Sequence, residues 1–443
     1  MPGTVTARRS ASGRRARLAG VGDLTSAEAA ALDAVDDGWA VERLSALAAV
    51  PSVGGTAAES EAQHLVAAWL DELGADVDCW PIDLPTALVA EDAPGQEVVR
   101  EEAWGVVGTL PGAEDGRPAL VLAGHTDVVP AGDAALWPAD PFVPWIADGT
   151  MHGRGTCDMK GGLVAALAAV RALRTAGVRL ARPLAVHSVV GEEDGGLGAW
   201  ATLARGHTGD HCVIPEPTAG AVITANAGAL TFRLQVTGRA AHGATRGQGV
   251  SAVELFAEVH TALRVLEAER EADADPRFGG IEHPFAISIG TVSAGNWASS
   301  VPDTLVAEGR YGVRLAEPVA SAQAALETAL ARFSAGHPWL AEHPVRVVWT
   351  GGSFASGQLP AAHPLGAAVQ RAVADAGGGC PPERAAPYGS DLRLYAAAGI
   401  PTLQYGPGDI QLAHGPAEQV PLAELATAAR SYVLLAMRTC GVR

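Results

Sequence analysis

The chain has 443 residues, of which 48% are apolar and 18% are charged. This length exceeds that of most single domains, so we expect two domains around a large buried core. The formal net charge is −18, and the basic residues concentrated near the N-terminus are Arg8, Arg9, Arg14, Arg15 and Arg17. Without these five, 26 basic residues face 49 acidic ones, a balance of −23. That balance argues against a groove for nucleic acid.

The N-terminal segment and the cysteines bear on location. Residues 1–20 are basic but have no apolar stretch behind them, so we predict a disordered tail and no signal peptide. A tail that binds an anionic partner is the alternative. No run of 18 apolar residues occurs, so no membrane-spanning helix is predicted. The five cysteines are scattered without a CxxC pair, which is typical of reduced thiols and of a cytoplasmic protein.

Apolar spacing predicts the first elements. It indicates one helix over residues 27–48 and a second over 58–74, which Gly74 ends. Short β-type runs follow in "ADVDCWPI", "WGVVGTL" and "PALVLAGHTDVV". The Ala- and Leu-rich "GGLVAALAAVRALRTAG" predicts a helix, and "PLAVHSVVGEED" predicts a further strand. Strands that alternate with helices indicate an α/β sheet covered on both faces.

Predicted strands and helices occur again in a shorter segment between residues 225 and 351. The runs there predict a strand, a helix, two strands, a helix and a strand, which is enough for a compact module. From His363 onward, the helical "PLGAAVQRAVADAGGG" and the strand-like "PTLQYG" resemble the helices and strands predicted before residue 225. We therefore predict one domain made of residues 21–224 and 352–443, with a smaller inserted domain over 225–351.

Side chains that can bind metal ions stand at the ends of predicted strands or in the loops that follow. They are His125, Asp127, Asp158, Glu192, Glu193, Glu216 and His414. Open α/β sheets build their sites at these strand ends. A lone histidine there is most often a satisfied polar residue, and an acidic pair is most often a solvated turn. Several carboxylates buried together need cations, however, because each buried ion is costly.

The donor types indicate which cations these would be. Oxygen and imidazole ligands without thiolate suit Zn²⁺, with Mn²⁺ or Co²⁺ in its place. A carboxylate can bridge two ions about 3.5 to 4 Å apart, as in two-metal hydrolases. Such a site needs a bridging acid, terminal ligands for each ion and a further acid that is free to move a proton.

The motifs that carry these residues occur in a fixed order. They are "GHTDVVPAG", "W" then "DPF", "GRGTCDMKGG", "EEDGG", "PEPT", "GRAAHGA" and "YGPGD" followed by "AH". From "LSALAAVPSVGG" to the C-terminus, the chain resembles the co-catalytic zinc family of acetylornithine deacetylase, succinyl-diaminopimelate desuccinylase, aminoacylase and glutamate carboxypeptidase. The resemblance implies a mixed sheet flanked by helices, an inserted two-layer α+β domain that acts as lid and dimerisation surface, and two divalent metal ions.

The resemblance also implies roles for individual residues. Glu192 would be the general base, which takes a proton from the attacking water and returns it to the leaving nitrogen. Asp158 would bridge both ions, with a cis peptide bond to Met159. Asp127 would orient the imidazole of His125. The terminal metal ligands would be His125, Glu193, Glu216 and His414.

Substrate contacts are less determined. His242 corresponds to a family histidine that reaches a substrate carbonyl, often across a dimer interface, so a homodimer through the inserted domain is expected; a surface turn histidine is the alternative. Ser299 replaces the family's usual asparagine. Further candidates for substrate binding are Asn296, Ser299, Arg310, Arg314, Ser390 and Arg393. Arg310 and Arg314 are alternatives for binding a substrate carboxylate, and a structural salt bridge is the alternative for Arg393.

Together these features predict a dinuclear metal-dependent hydrolase of amide C–N bonds. Glu216 favours a deacylase or carboxypeptidase, because family dipeptidases and aminoacylases more often have Asp there and carbamoyl-amide hydrolases have His. We predict removal of an N-acyl group from an amino-acid-like small molecule, with a dipeptidase or carboxypeptidase as the alternative. An inactive binding relative would have lost a ligand or the base, and none is missing. The acyl group and the amine stay open.

Overall fold

The computed structural model describes residues 24–90 and 92–443, so the predicted tail over residues 1–20 lies outside the described part. The α-helices there are α1 (Ser26–Asp33), α2 (Asp37–Ala48), α3 (Ala57–Glu72), α4 (Leu84–Ala87), α5 (Gly161–Thr175), α6 (Leu197–Ala204), α7 (Ala252–Glu271), α8 (Val319–Ala335), α9 (Pro364–Val373), α10 (Leu392–Ala397) and α11 (Leu422–Cys440). The strands are β1 (Asp76–Pro81), β2 (Trp104–Leu110), β3 (Leu120–His125), β4 (Trp145–Ala147), β5 (Thr150–His152), β6 (Leu184–Val189), β7 (Cys212–Ile214), β8 (Val222–Asn226), β9 (Gly228–Thr237), β10 (Ala241–His242), β11 (Ile287–Ala294), β12 (Ser300–Val301), β13 (Thr304–Val313), β14 (Arg346–Phe354), β15 (Gly357–Gln358), β16 (Glu383–Ala386), β17 (Thr402–Gln404) and β18 (Gln419–Pro421).

The prediction of one continuous helix over residues 27–48 is wrong. Helical geometry ends after α1 and begins again at α2, where the side chain of Asp36 accepts a hydrogen bond from the backbone N–H of Trp39. Val35, inside the break, is buried against the core. The apolar spacing therefore continues across a break that Asp36 caps as a new helix start.

The larger sheet has the strand order β1-β2-β6-β3-β7-β17-β8-β15, with β16 beside β8. The central strands β6, β3, β7 and β17 run parallel to one another, whereas β1 and β2 are antiparallel to their neighbours. The predicted mixed sheet flanked by helices is confirmed. β17, from late in the sequence, separates β7 from β8.

Both faces of this sheet are buried at its centre. Along β3, Leu120 and Leu122 belong to one apolar cluster, and Val121 and Ala123 belong to another, as expected where side chains alternate with a period of two. The first cluster includes residues of α2, α3, α5 and α11, and the second includes residues of α6 and α10. Packing on both sides fixes the C-terminal end of β3, which is His125.

A second sheet is antiparallel and has the order β11-β13-β9-β14. The helices α7 and α8 pack on it around a separate apolar cluster that includes Phe232, Leu263 and Leu326. These elements extend from Gly228 to Phe354, whereas the predicted insert covers 225–351. That they fold as an independent lid stays a prediction.

The helix α11 was not predicted from the sequence. It packs against α5, and its buried residues contribute to the main apolar cluster. None of the described helices is both long and apolar enough to cross a bilayer.

Candidate active site

Three parallel strands deliver polar side chains to one edge of the sheet. β3 ends at His125, which pairs with Val189 at the end of β6, and Glu192 and Glu193 follow β6. β7 lies on the other side of β3 and is followed by Glu216. Because neighbouring parallel strands end at the same edge, these side chains converge there.

Asp158 reaches the same place from the turn Thr156–Lys160 that precedes α5, in which Asp158 and Met159 have non-helical backbone angles. The peptide bond between Asp158 and Met159 is cis. The turn also comes close to the loop after β7, because a Cβ atom built on Gly162 would lie 1.9 Å from the carbonyl oxygen of Pro215. Glycine at 162 thus allows the Asp158 and Glu216 segments to meet.

The two carboxylate oxygens of Asp158 face two different histidines. Oδ1 lies 3.2 Å from Nε2 of His125, and that nitrogen is 3.8 Å from Oε1 of Glu216. Oδ2 lies 3.5 Å from Nε2 of His414, which is 3.0 Å from Oε2 of Glu193. In each of these two groups the potential ligand atoms lie within 4.8 Å of one another. Asp158 is the residue that the two groups share.

Asp127 lies between the two groups. Its backbone carbonyl is 2.9 Å from Nδ1 of His125, its Oδ1 is 3.6 Å from that nitrogen, and its Oδ2 accepts a hydrogen bond from the backbone N–H of Glu193 at 3.2 Å. Oδ1 is buried and has no hydrogen-bond partner among the described residues. The position suits the predicted orienting role, and it adds the backbone carbonyl as a second group that can fix the imidazole tautomer.

The electrostatics show an excess of negative charge. Burial raises the pKa of Glu192, Glu193 and Glu216, and neighbouring carboxylates raise it further. Hydrogen bonds from His414 to Asp158 and Glu193 raise the pKa of that histidine to about 11. Buried carboxylates that repel one another are stabilised by added cations. The donor set therefore fits two divalent ions, one held by His125, Asp158 and Glu216 and the other by Asp158, Glu193 and His414.

A cavity of about 220 Å³ opens onto both groups. Its lining combines acidic side chains with a few uncharged residues, namely Asp158, Glu192, Glu193, Glu216, Tyr388, Gly389, Ile410, Ala413 and His414. Glu192 is only 8% exposed and belongs to neither ligand group. Tyr388 had no predicted role, although it lies two residues before the candidate Ser390.

His242, Asn296 and Ser299, three of the candidates in the inserted segment, lie outside the cavity. His242 is exposed on β10, which pairs with β12, and its Nδ1 accepts a hydrogen bond from the N–H of Ala244. The carbonyl of Ser299 accepts a hydrogen bond from Gly243 at 2.7 Å, and Asn296 is also exposed. The structure thus brings His242 and Ser299 together, but neither they nor Asn296 lines the cavity.

Arg310 and Arg314 differ in their surroundings. Arg310 is half-buried on β13, and its Nη2 donates to the carbonyl of Pro387 at 2.7 Å, next to Tyr388 of the cavity wall. No carboxylate in the described ranges pairs with it, and burial lowers its pKa. At Arg314, the backbone N–H donates to Glu317 at 2.9 Å.

The other two candidates for substrate binding have internal partners. Ser390 is buried, and its hydroxyl accepts a hydrogen bond from the N–H of Leu392. The guanidinium of Arg393 donates to the carbonyl oxygens of Ser390 and Gly195, at 2.9 and 2.5 Å, and lies 4.2 Å from the ring centroid of Phe354. Neither residue lines the cavity. Arg393 therefore supports the glycine that follows the Glu192–Asp194 turn.

A buried ion network anchors that turn, and no sequence pattern singled it out. Asp194 pairs with Arg100 at 2.7 Å, and Arg100 also pairs with Glu59 at 3.0 Å, with the three side chains at most 9% exposed. Asp194 further accepts the backbone N–H groups of Glu97 and Val98, each at 3.1 Å. The network fixes the residue directly after Glu192 and Glu193.

Comparison with known proteins agrees with the fold. The sequence profile described as Peptidase family M20/M25/M40 matches residues 121–438. An N-formyl-4-amino-5-aminomethyl-2-methylpyrimidine deformylase of Bacillus subtilis is 28% identical over 386 residues, which cover 82% of this chain and 85% of that protein. A succinyl-diaminopimelate desuccinylase of Halorhodospira halophila is 31% identical over 322 residues, covering 70% and 80% of the two chains.

Among solved structures, a di-peptidase from Saccharomyces cerevisiae superposes with a TM-score of 0.72 over 93% of this chain and 98% of that chain. The two sequences are 15% identical, so this likeness shows the fold alone. The predicted resemblance to the deacetylase and desuccinylase family is confirmed. The profile covers well over half of the chain, and the protein therefore belongs to peptidase family M20/M25/M40, whose members are metal-dependent hydrolases of amide C–N bonds.

Proposed function

We propose that the protein is a dinuclear deacylase that removes an acyl group from the nitrogen of an amino-acid-like small molecule, with Glu192 as general base. One observation carries the proposal. The two oxygens of Asp158 face separate His and Glu groups, while Glu192 lines the same cavity outside both groups. A shared acid, terminal ligands and a free acid are what a two-metal hydrolase requires.

Zn²⁺ is the proposed metal, with Co²⁺ or Mn²⁺ as substitutes, because the donors are carboxylate oxygens and imidazole nitrogens without thiolate. Cys157, although adjacent to Asp158, is buried and its thiol contacts the carbonyl of Asp409. When bound, the ions supply positive charge that lowers the pKa of water and polarises the amide carbonyl.

The remaining chemistry belongs to Glu192. Its carboxylate accepts a proton from the attacking water and then donates that proton to the leaving nitrogen. The surrounding burial excludes bulk water, which would otherwise compete as a proton acceptor. Asp194, Arg100 and Arg393 hold the turn in place, so that the carboxylate is oriented before substrate arrives.

The cavity favours a short acyl group. The cavity has a volume of about 220 Å³, which is below the roughly 300–1,000 Å³ that is typical of pockets for drug-sized ligands. Tyr388, Ile410 and Ala413 form its uncharged wall. A formyl or acetyl group fits this space better than a succinyl group, and a deformylase is among the relatives that match most of the chain.

Arg310 supports an amino-acid-like substrate. Its half-buried guanidinium has no carboxylate partner in the described part of the chain and donates to the carbonyl of Pro387, the residue before Tyr388 of the cavity wall. Such a group suits a substrate carboxylate. The same anchor would accept the terminal carboxylate of a peptide, so a dipeptidase or carboxypeptidase is the second candidate. N-acetyl and N-formyl amino acids, N-acyl amines without a carboxylate and dipeptides separate these possibilities in one hydrolysis panel.

We also propose a homodimer through the inserted domain over residues 225–351, because His242 is exposed and lies outside the cavity of its own subunit. Mixing two inactive variants, Glu192→Gln and His242→Ala, should restore part of the activity if His242 serves the partner's cavity. Absence of recovery in mixed dimers, with dimer mass confirmed by light scattering, would exclude that role.

The experiment that tests the proposed function is a pair of matched substitutions. Glu192→Gln should lower kcat by at least about 10²-fold, the scale of general-base catalysis, while two ions per chain remain bound. Glu216→Gln should lower activity and also release metal, because Glu216 is a proposed ligand. Wild-type turnover in Glu192→Gln, or a wild-type chain that binds no divalent ion after metal is added to chelated protein, would refute the proposal.

A further inference from the structure

The carboxylate of Glu418 is enclosed and collects hydrogen-bond donors from one loop. Oε1 accepts the backbone N–H of Gly155 at 2.8 Å and those of Cys157 and Asp158 at 3.2 Å. Oε2 pairs with the guanidinium of Arg154, and the two side chains are 0% and 1% exposed. Residues 154–158 therefore wrap around Glu418, and the backbone of Asp158 is held by it.

The same residue is tied to His414. Glu418 stands four residues after His414 and directly before β18. In the β18–β5 pair, Gln419 lies opposite His152, and the backbone N–H of Gly153 donates to the carbonyl of Glu418 at 3.2 Å. The strand register thus fixes the backbone of Glu418, and its side chain fixes the Asp158 loop.

We infer that Glu418 is a positioning residue that sets the separation between Asp158 and His414 and thereby the affinity for the ion they share with Glu193. The inference rests on the proposed function. The side chain of Glu418 holds the backbone of Asp158, and the backbone N–H of Glu418 donates to the carbonyl of Gly415, directly after His414, at 3.3 Å. Two of the three proposed ligands of that ion are therefore linked to Glu418, whereas only Asp158 is linked to it in the group formed with His125 and Glu216. The ion between Asp158, Glu193 and His414 is therefore the more sensitive of the two.

Glu418→Gln tests the inference with little change in size. A carboxylate offers two acceptor oxygens, but an amide offers one oxygen and an NH₂ group. The NH₂ group must face either Arg154 or the three backbone N–H groups, so one set of donors loses its acceptor. We expect the affinity for the ion between Asp158, Glu193 and His414 to fall by about 10- to 100-fold, as when a group that orients a metal ligand is removed, with a smaller change for the other ion.

The matched control is Glu317→Gln. Glu317 pairs with Arg270 at 2.6 Å and accepts the backbone N–H of Arg314 at 2.9 Å, so its chemistry is similar, but it contacts neither ligand group. Both variants should unfold at a lower temperature, and only Glu418→Gln should weaken metal binding. Affinities come from titration against a chelator of known strength, with bound ions counted by mass spectrometry at a temperature at which every variant is folded.

Each outcome decides between the two ideas. Wild-type affinity for both ions in Glu418→Gln overturns the positioning role and leaves the proposed function standing. A wild-type chain without bound ions overturns both. If Glu418→Gln does not fold, Glu418→Asp replaces it, because its shorter side chain cannot contact Arg154 and the three N–H groups together; the same selective loss is expected, and unchanged affinity again overturns the role.

Discussion

Replacing Arg100 by methionine should destabilise the protein strongly, because it leaves two buried carboxylates without their counter-charge. Arg100 contacts Glu59 through Nε and Nη2 and Asp194 through Nη1 and Nη2, at 2.7 to 3.3 Å. Removing one partner of a buried ion pair costs about 3–5 kcal/mol in the free energy of unfolding. The unfolding entropy is about 2.1 cal/mol/K per residue, or about 0.9 kcal/mol/K for the 443 residues of this chain, so Tm should fall by about 3–5 °C.

The loss should depend on pH in a definite direction. Burial, and after it the charge of Asp127, raises the pKa of Glu59 to about 7, while Arg100 opposes the rise. Without Arg100 the pKa of Glu59 rises further. Above pH 4.5, the ordinary pKa of a glutamate, the folded variant therefore keeps a proton that the unfolded chain releases. Stability therefore decreases as pH rises above that value, and the deficit of Arg100→Met relative to wild type should be smaller at pH 5 than at pH 8.

Urea denaturation at both pH values measures this deficit, with Arg246→Met as the control. Arg246 forms one ion pair with Glu254 at 3.3 Å, and the side chains are 79% and 64% exposed, so its loss should cost at most about 1 kcal/mol. Equal destabilisation by the two substitutions, or a deficit of Arg100→Met that does not change with pH, would refute the reasoning. Activity should fall as well, because Asp194 follows Glu193 directly.

Two further predictions concern buried sites near the sheet edge. Burial, with a smaller contribution from His207, lowers the pKa of His187 to about 3, so below about pH 6.5 the unfolded chain binds a proton that the folded chain does not. This group should therefore lower wild-type stability by up to about 1.4 kcal/mol for each unit of decreasing pH. In urea denaturation between pH 7 and 5, the stability of His187→Leu should depend less steeply on pH than that of wild type. Gly162→Ala should lower stability by about 1–3 kcal/mol and weaken zinc binding, because its Cβ would meet the carbonyl of Pro215. The control Gly247→Ala, whose Cβ would have nothing within 4 Å, should change neither. Equal Tm values for the two alanine variants would contradict this account.

Local sequence patterns were sufficient to predict the site residues that stand at the ends of strands. His125 follows an apolar run that forms β3, and Glu216 follows the short β7, so the rule that parallel strands end at one edge brought these residues together. The same patterns wrongly predicted one continuous helix over residues 27–48, because apolar spacing persists through the break before Asp36. Propensity carries no information on whether two helical segments are collinear.

Long-range partners could not be read from the sequence. Glu418 contacts Gly155 across 263 residues, and Arg100 contacts Asp194 across 94; each is one polar residue in an ordinary loop until the fold places its donors around it. The substrate side was uncertain for the same reason. The position of Arg310 beside Pro387 depends on how the second sheet meets the first, and no local pattern states that arrangement.

The position of β17 has a consequence for the order of events during synthesis. β7 and β8 are close in the sequence, yet β17 lies between them in the sheet and pairs with both. On a ribosome, β7 and β8 emerge with a gap between them that stays open until residues 402–404 have been made. The second sheet, whose strands all precede residue 355, can pair earlier. Its formation replaces a long flexible loop between β8 and the later strands by folded structure. The loop-closure entropy lost when β17 pairs between β7 and β8 is then smaller.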